Sequence, residues 1–145
     1  MSSGGNPPDR AWRYTHRVAS HFLAPLVKNP GSALTLRVHG RDLPLATRLE
    51  GAFDSASRNR GLLGRSELAP GTALVIAPSN SVHTFFMKFP IDLVYARRDG
   101  RVVKVRRGVK PWRISFAASA FAVIELAAGT VDRIPLRAGD QLDLV

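Results

Sequence analysis

Cysteine is absent from the 145 residues of this chain, which excludes disulfide bonds and thiolate metal sites. Long apolar runs are also absent, and none approaches the ~20 residues that a membrane-spanning helix requires. The N-terminal region is unlike a usual signal peptide, because His21 and Pro25 interrupt its apolar run at 18–27. We therefore expect no transmembrane segment and a cytoplasmic location, with secretion or membrane tethering left open.

Acidic residues are scarce: 11 Asp and Glu stand against 21 Lys and Arg, which gives a net charge of +10. Such an excess attracts an anionic ligand or an acidic surface, for example nucleic acid or an anionic membrane. A solvated, arginine-rich surface without a partner would have the same composition. The hydrophobic fraction of 45% is typical of a globular protein with a single core.

Two regions are predicted along the chain. Residues 1–33 combine a flexible tail at 1–10, rich in Gly, Pro and Ser, with a candidate short basic helix at 11–28. This helix could bind a membrane surface, but docking on the neighbouring domain, or fraying, is the simpler expectation. Residues 34–145 are expected to form one domain.

Short segments of alternating apolar and polar residues fill this domain, which indicates β-structure. Strands are predicted at 34–38 and, after a turn, at 43–48. Asp54 offers an N-cap for a helix over 54–63, with Gly64 as its C-cap residue. The predicted fold class is mainly β (α+β): a small barrel-like rolled sheet with one short helix.

The densest aromatic run lies within 83–94. As a strand, this run would send alternate side chains to opposite faces until Pro90 interrupts it. Asp92 follows among apolar residues, where a buried carboxylate needs a partner. We therefore expect Asp92, and Glu125 for the same reason, to be hydrogen-bonded to a cation or to backbone N–H groups.

Most of the positive charge lies at 97–113, where eight Lys and Arg face Asp99 alone, so that the local charge is 8 − 1 = +7. The dipeptide Asp99-Gly100 favours a hairpin with a type I′ turn. We expect these cations to project from one edge of the domain. Nucleic-acid binding here is a weak prediction, because no base-reading helix is evident and Trp112 is the one aromatic residue in the segment.

Several short motifs, taken in order, resemble domain of unknown function family 192. They are Arg58-x-x-Gly61-Leu62-Leu63-Gly64-Arg65, His83-Thr84-Phe85-Phe86-Met87-Lys88-x-Pro90-Ile91-Asp92, Asp99-Gly100, Pro111-Trp112, Glu125-Leu126-x-x-Gly129 and Gly139-Asp140. The resemblance covers about 34–145 and implies a small, mainly β, barrel-like domain without an established activity. The chain departs from the usual family pattern at Leu63 (usually Met), Phe86 (often Trp) and Phe89-Pro90 (often Asn-Thr).

Two functions from different classes are compatible with these residues. The first is a non-catalytic binding module with an aromatic, His- and Lys-lined face for a small or extended anionic ligand. Its candidate ligand-binding residues are Arg58, Arg65, His83, Thr84, Met87, Lys88, Asp92, Trp112 and Glu125. The second is a small acid–base enzyme in which His83 titrates and Asp92 orients it.

A structural role is the third interpretation. Asp92 and Glu125 would then be buried partners of Arg58, Arg65 or Lys88, since perturbed charges are often structural ion pairs. No metal or cofactor is expected, because the chain lacks metal-ligand spacing, a nucleophile elbow and a phosphate loop.

Overall fold

The computed structural model describes residues 21–145. Its helices are α1 (Ala24–Lys28), α2 (Ser55–Arg60) and α3 (Thr130–Arg133). Its strands are β1 (Leu36–Val38), β2 (Arg48–Ala52), β3 (Thr72–Ile76), β4 (Ser81–His83), β5 (Ile91–Ala96), β6 (Val102–Val109), β7 (Ile114–Phe116), β8 (Ala122–Ala127) and β9 (Leu142–Leu144). The predicted tail at 1–10 and about half of the predicted basic helix lie outside the described residues.

A five-stranded sheet in the order β2-β3-β8-β5-β6 forms the centre of the domain. β2 and β3 are parallel, whereas the other neighbouring strands are antiparallel. The three inner strands are buried along nearly all of their length, as expected for strands that are covered on both faces. The mainly β class is confirmed, but the sheet is open, with β2 and β6 at its edges, and does not close into a barrel.

Side chains of the inner strands divide between two cores. Val94 pairs with Ile124, and the next residue pair is Leu93 with Glu125. Because directly paired residues point to the same face and successive residues alternate, these two pairs lie on opposite sides of the sheet. We call the side of Val94 and Ile124 the closed face and the side of Leu93 and Glu125 the open face.

The closed face is covered by the β1–β9 ladder, by α1 and by α3. β1 and β9 are antiparallel and bring Leu36, Val38 and Leu142 into the core of this face. Leu23 and Leu26 are buried in the same core. The described end of the predicted basic helix is therefore docked on the domain.

The open face is covered by α2 with the loop after it and by a two-stranded ribbon of β4 and β7. In this ribbon Val82 pairs with Ser115, and Val82 packs against the core of the open face with Leu62 and Met87. The predicted cap of α2 is present, since the Asp54 carboxylate accepts a hydrogen bond from the Ser57 N–H at 2.8 Å. Between α2 and the ribbon the cover is incomplete, which leaves a cleft.

Two predictions in the first half of the chain were wrong. Residues 43–47 form no strand: β1 makes one bridge to Ala46 and pairs instead with β9, so that the expected hairpin is replaced by a long-range ladder. The helix ends at Arg60 rather than 63, because Gly61 has a φ of 48° and its N–H bonds the Ser57 carbonyl as the C-cap.

Three predictions in the second half also need correction. The aromatic run at 84–90 forms a tight turn, in which the Met87 N–H bonds the Thr84 carbonyl. The hairpin at 97–101 forms, but of its residues only Gly100 has positive φ, whereas a type I′ turn needs two such residues. Within 34–145 the structure has two short helices, α2 and α3, rather than the one predicted.

Candidate functional site

A cleft of about 440 Å³ lies over the open face between α2 and the ribbon. Its apolar lining includes Leu62, Ile76 and Met87. Its charged and titratable lining residues come from three separate elements: Arg58 and Arg60 from α2, His83 from β4 and Glu125 from β8. A concave site with an apolar lining and a few convergent polar groups is the usual form of a small-molecule site.

Glu125 lies at the bottom of this cleft and is 4% exposed. Its Oε2 atom has no hydrogen-bond partner among the described residues. Burial raises the pKa of Glu125 to about 7, and the positive charge of Arg65 counteracts part of this rise. The expectation of a directly bonded partner was wrong for Glu125, because Arg65 binds Glu50 at 2.7 Å instead.

Two further polar groups are buried between the ribbon and the open face. The hydroxyls of Tyr95 and Ser115 have no hydrogen-bond partner within the described part of the chain. Burial raises the pKa of the Tyr95 hydroxyl, the neighbouring Ser115 hydroxyl and the charge of Arg106 lower it, and Glu125 raises it further. The two hydroxyls therefore lie near each other, but without the geometry of a hydrogen bond. Of the four such unpartnered atoms in residues 21–145, three therefore lie on this side of the sheet, where native structures usually provide a partner or water.

Cations and an imidazole form the wall of the cleft above Glu125. The Arg58 guanidinium donates to the Phe53 carbonyl at 2.8 Å, which fixes its position beside α2. Arg60 is exposed at the last position of the helix. The His83 ring packs against Phe85, with 5.1 Å between the ring centroids. This wall is positively charged, whereas the floor carries one carboxyl group.

Asp92 lies on the closed face and not in this cleft. It is 1% exposed, and its two carboxylate oxygens accept hydrogen bonds from the N–H groups of Gly108 at 2.8 Å and Val131 at 3.0 Å. The prediction that Asp92 is bonded to a cation or to backbone N–H groups is confirmed. The structure does not bring Asp92 together with His83, so this pair cannot act as one acid–base unit.

The remaining candidates have separate positions. Arg58, His83, Met87 and Glu125 line the cleft, whereas Arg65, Thr84, Lys88 and Trp112 do not. Arg65 forms an ion pair with Glu50. Because α2 ends at Arg60, Arg65 does not share a helix face with Arg58. Thr84 is buried and its hydroxyl donates to the Lys110 carbonyl at 2.7 Å. Lys88 and Trp112 are exposed.

Sequence reasoning missed Arg60, Tyr95 and Ser115. One signal was available for Tyr95, because it is three residues from Asp92 on the same strand and an odd separation places it on the other face. Ser115 carried no such signal, since its burial depends on how the ribbon packs over the sheet.

A second depression of about 630 Å³ is lined by the loops at 78–80, 97–99 and 119–121 and shares Ser79 with the cleft. Its lining includes Arg97, Arg98 and Asp99 of the basic hairpin, which leads into the edge strand β6 as predicted. The Arg98 guanidinium lies 4.4 Å from the centroid of the Phe121 ring. None of the buried, unpartnered polar atoms belongs to this depression, which makes it the weaker candidate.

Residues 21–145 show neither a cluster of metal ligands nor a membrane-spanning helix. No three His, Asp or Glu side chains in this part of the chain converge as metal ligands. None of the helices described is long and apolar enough to cross a membrane.

Comparisons with known proteins identify a family and a fold. Residues 35–144 match the profile of domain of unknown function family 192, described as uncharacterized ACR. A protein of unknown function from Novosphingobium aromaticivorans DSM 12444 has a similar structure, with a TM-score of 0.66 and 23% identity over 75% of this chain and 83% of that chain. A Sinorhizobium meliloti 1021 protein, suggested to be a transcription regulator, gives a TM-score of 0.65 and 24% identity over 76% and 90%. No curated protein matches the chain.

Proposed function

The chain belongs to domain of unknown function family 192, and we propose that this member is a non-catalytic binding module for a small anionic ligand. The observation that carries the proposal is the unpartnered Glu125 carboxyl under a cleft whose wall is cationic. A volume of about 440 Å³ lies within the range of small-molecule sites.

Charge argues for an anion as the ligand. Arg58 and Arg60 are the fixed charges of the cleft, and His83 adds a third donor. Guanidinium groups bind carboxylate and phosphate oxygens through paired, charge-assisted hydrogen bonds. A carboxylate or phosphate group would therefore bind near the end of α2.

Glu125 further restricts the chemistry of the ligand. A buried carboxyl oxygen without a partner stabilises a complex when the ligand supplies a hydrogen-bond donor. The ligand class that satisfies both ends of the cleft is a small acid that also carries a hydroxyl or amide group, such as a hydroxy acid or a sugar phosphate.

Calorimetric titration with glycerate, glycerol 3-phosphate and inorganic phosphate tests the proposal. We expect the two hydroxyl-bearing anions to bind more tightly than phosphate, and Arg60→Gln to weaken their binding about tenfold, since one charge-assisted bond is lost. Arg133→Gln, an exposed arginine of α3, is the matched control and should bind as the wild type does. Failure of all three anions to bind, or equal loss in both variants, would contradict the proposal.

An acid–base enzyme is the second candidate, with Glu125 in place of Asp92 as the carboxyl group. A pKa of about 7 at a buried glutamate in a cleft is the property that proton transfer near neutral pH requires. Exchange of solvent deuterium into a bound hydroxy acid, followed by NMR, distinguishes the two functions. Exchange that Glu125→Gln abolishes while binding persists would favour the enzyme.

Two expectations from the sequence stay predictions. Nucleic-acid binding through the basic hairpin at 97–113 remains the weaker alternative, for which a steep salt dependence is expected. A cytoplasmic location likewise remains a prediction.

A further inference from the structure

Four large apolar side chains are exposed side by side next to the cleft. Phe86, Trp112, Ile114 and Phe116 are between 57% and 70% exposed. Ile114 and Phe116 share the outward side of β7, and Phe86 contacts Trp112 with 4.7 Å between ring centroids. We call these four side chains the aromatic ridge. Exposed large apolar side chains clustered in this way are typical of interaction sites.

The backbone holds two of these side chains outward. Phe86 and Trp112 have φ values of 65° and 66°, and they are the two non-glycine residues with positive φ in the described chain. Such a conformation is unfavourable for large side chains and persists only where the surroundings impose it.

Thr84 imposes this conformation on both loops. Its hydroxyl donates to the Lys110 carbonyl at 2.7 Å and accepts from the Arg113 N–H at 2.9 Å. Its carbonyl accepts from the N–H groups of Met87 and Trp112. The two loops therefore form one preorganised tip with Phe86 and Trp112 at its surface.

Cations outnumber carboxylates around the ridge, although Arg107 is paired with Asp132. Segments 81–91 and 101–119 contain one and six Lys or Arg residues, respectively, and no Asp or Glu. The Lys104 ammonium donates to the Phe116 carbonyl at 2.7 Å, directly beneath the ridge. Lys88, Lys110 and Arg113 are exposed around the tip. A partner that covers this surface must be apolar in its centre and anionic at its rim.

We propose that the aromatic ridge inserts into the surface of an anionic lipid bilayer. Aromatic and aliphatic side chains enter the boundary between headgroups and acyl chains, while flanking Lys and Arg bind anionic headgroups. Charge complementarity selects anionic over neutral lipid. Because Ile114 also lines the cleft, docking brings the mouth of the cleft close to the headgroup layer.

The arrangement of the rings favours lipid over single-stranded nucleic acid. Base stacking needs free aromatic faces. Trp112 instead packs against Phe86 at an interplanar angle of 60° and against Phe85 at 32°. Ile114 offers no aromatic face at all. Insertion into lipid needs only apolar area and is indifferent to ring orientation.

Co-sedimentation of the full chain with vesicles tests this proposal. Vesicles of phosphatidylcholine alone are compared with vesicles that contain about a third phosphatidylserine. The ridge variant is Phe86→Asn with Trp112→Asn, because Asn tolerates positive φ. Leu43→Asn, which removes an exposed apolar side chain outside the ridge, is the control. We expect binding to anionic vesicles only, at least tenfold weaker binding by the ridge variant, and no change in the control.

Fluorescence gives an independent measurement. The chain has two tryptophans, so Trp12→Phe leaves Trp112 as the sole reporter. A blue shift and quenching by brominated lipid on vesicle binding are expected. No sedimentation, or equal sedimentation of wild type and ridge variant, overturns the proposal. Ridge-dependent binding to an oligonucleotide, or ridge-dependent self-association, without vesicle binding overturns it as well.

Discussion

Asp92 and Glu125 lie on adjacent strands one register position apart, and their environments are opposite. Both are almost fully buried, at 1% and 4% exposure. Asp92, on the closed face, has a backbone donor for each carboxylate oxygen, whereas Glu125, on the open face, has an oxygen without a partner. Burial alone therefore does not determine the role of a carboxylate. Its role also depends on whether hydrogen-bond donors are available on its side of the sheet.

The donors on the closed face are groups that regular secondary structure leaves free. The pairing of β5 with β6 shifts register between Ile91 and Leu93. Such a bulge leaves one N–H group outside the ladder. Here it is the N–H of Gly108, which donates to Asp92. Val131 lies in the first turn of α3, where N–H groups have no partner within the helix. Asp92 thus fastens the sheet edge and α3 together.

The largest effect on stability is expected when the connection between the sheet edge and α3 is removed. Asp92→Ala should lower the free energy of unfolding by about 2–6 kcal/mol, since the buried N–H of Val131 and the partly buried N–H of Gly108 lose their acceptor at about 1–3 kcal/mol each. Urea denaturation measures the effect. Asp132→Ala is the control, because its exposed ion pair with Arg107 should be worth less than about 1 kcal/mol. An unchanged midpoint for Asp92→Ala would remove the distinction between the two faces.

Glu125 should give a smaller, pH-dependent effect of opposite sign. Because burial raises its pKa from 4.5 to about 7, the folded protein keeps a proton that the unfolded chain loses as the pH rises. Wild-type stability should therefore fall between about pH 4.5 and 7. Glu125→Gln should remove this fall and be more stable than wild type by about 3 kcal/mol near pH 8.

Thermal unfolding across this pH range checks the prediction. The two proteins should be equally stable near pH 4, where Glu125 is protonated in both states of the wild type. Glu67→Gln changes an exposed carboxylate and should follow the wild-type curve. Parallel curves for wild type and Glu125→Gln would mean that Glu125 has a partner after all.

Two buried hydroxyls allow a finer comparison within one side of the domain. Thr84 bonds Lys110 and Arg113, whereas Ser115 has no partner in the described chain. Thr84→Val should cost about 1–3 kcal/mol, and Ser115→Ala should stay within about 0.5 kcal/mol. Chemical denaturation measures both variants. Equal losses of stability in the two variants would show that Ser115 has a hydrogen-bond partner, so that the polar groups of the open face are paired.

Local signals in the sequence predicted the features that local chemistry determines. Alternation and turn residues indicated a mainly β fold, Asp54 indicated the start of α2, and the hairpin at 97–101 was found at its position. The isolated carboxylate Asp92 was expected to have a partner, and the structure provides one. An unsatisfied buried charge is costly in any fold, so a partner for Asp92 could be expected before it was known. The same expectation failed for Glu125, whose burial raises the pKa and so favours the uncharged carboxyl.

Such local signals could not predict which strands pair when they lie far apart in the sequence. β1 pairs with β9 across the whole domain, and three-residue strands carry too little pattern to predict a partner. The register of β5 against β8 decides which face receives Asp92 and which receives Glu125. The sequence therefore supplied four of the cleft residues (Arg58, His83, Met87 and Glu125) but not the separation of Asp92 from them. It drew attention to the aromatic run and to Trp112, but it did not indicate that Ile114 and Phe116 would be exposed beside them.

The titration of the Glu125 carboxyl tests the central claim most directly. Carbon-13 NMR follows the side-chain carboxyl carbon of Glu125 as the pH changes, and the spectrum of Glu125→Gln identifies the resonance. An unpartnered carboxyl at the bottom of the cleft should titrate at about 7, with a shift on binding of an anion that supplies a hydrogen-bond donor. A titration near the ordinary value of 4.5 would contradict the account, because it would mean that the open face satisfies its carboxylate as fully as the closed face does.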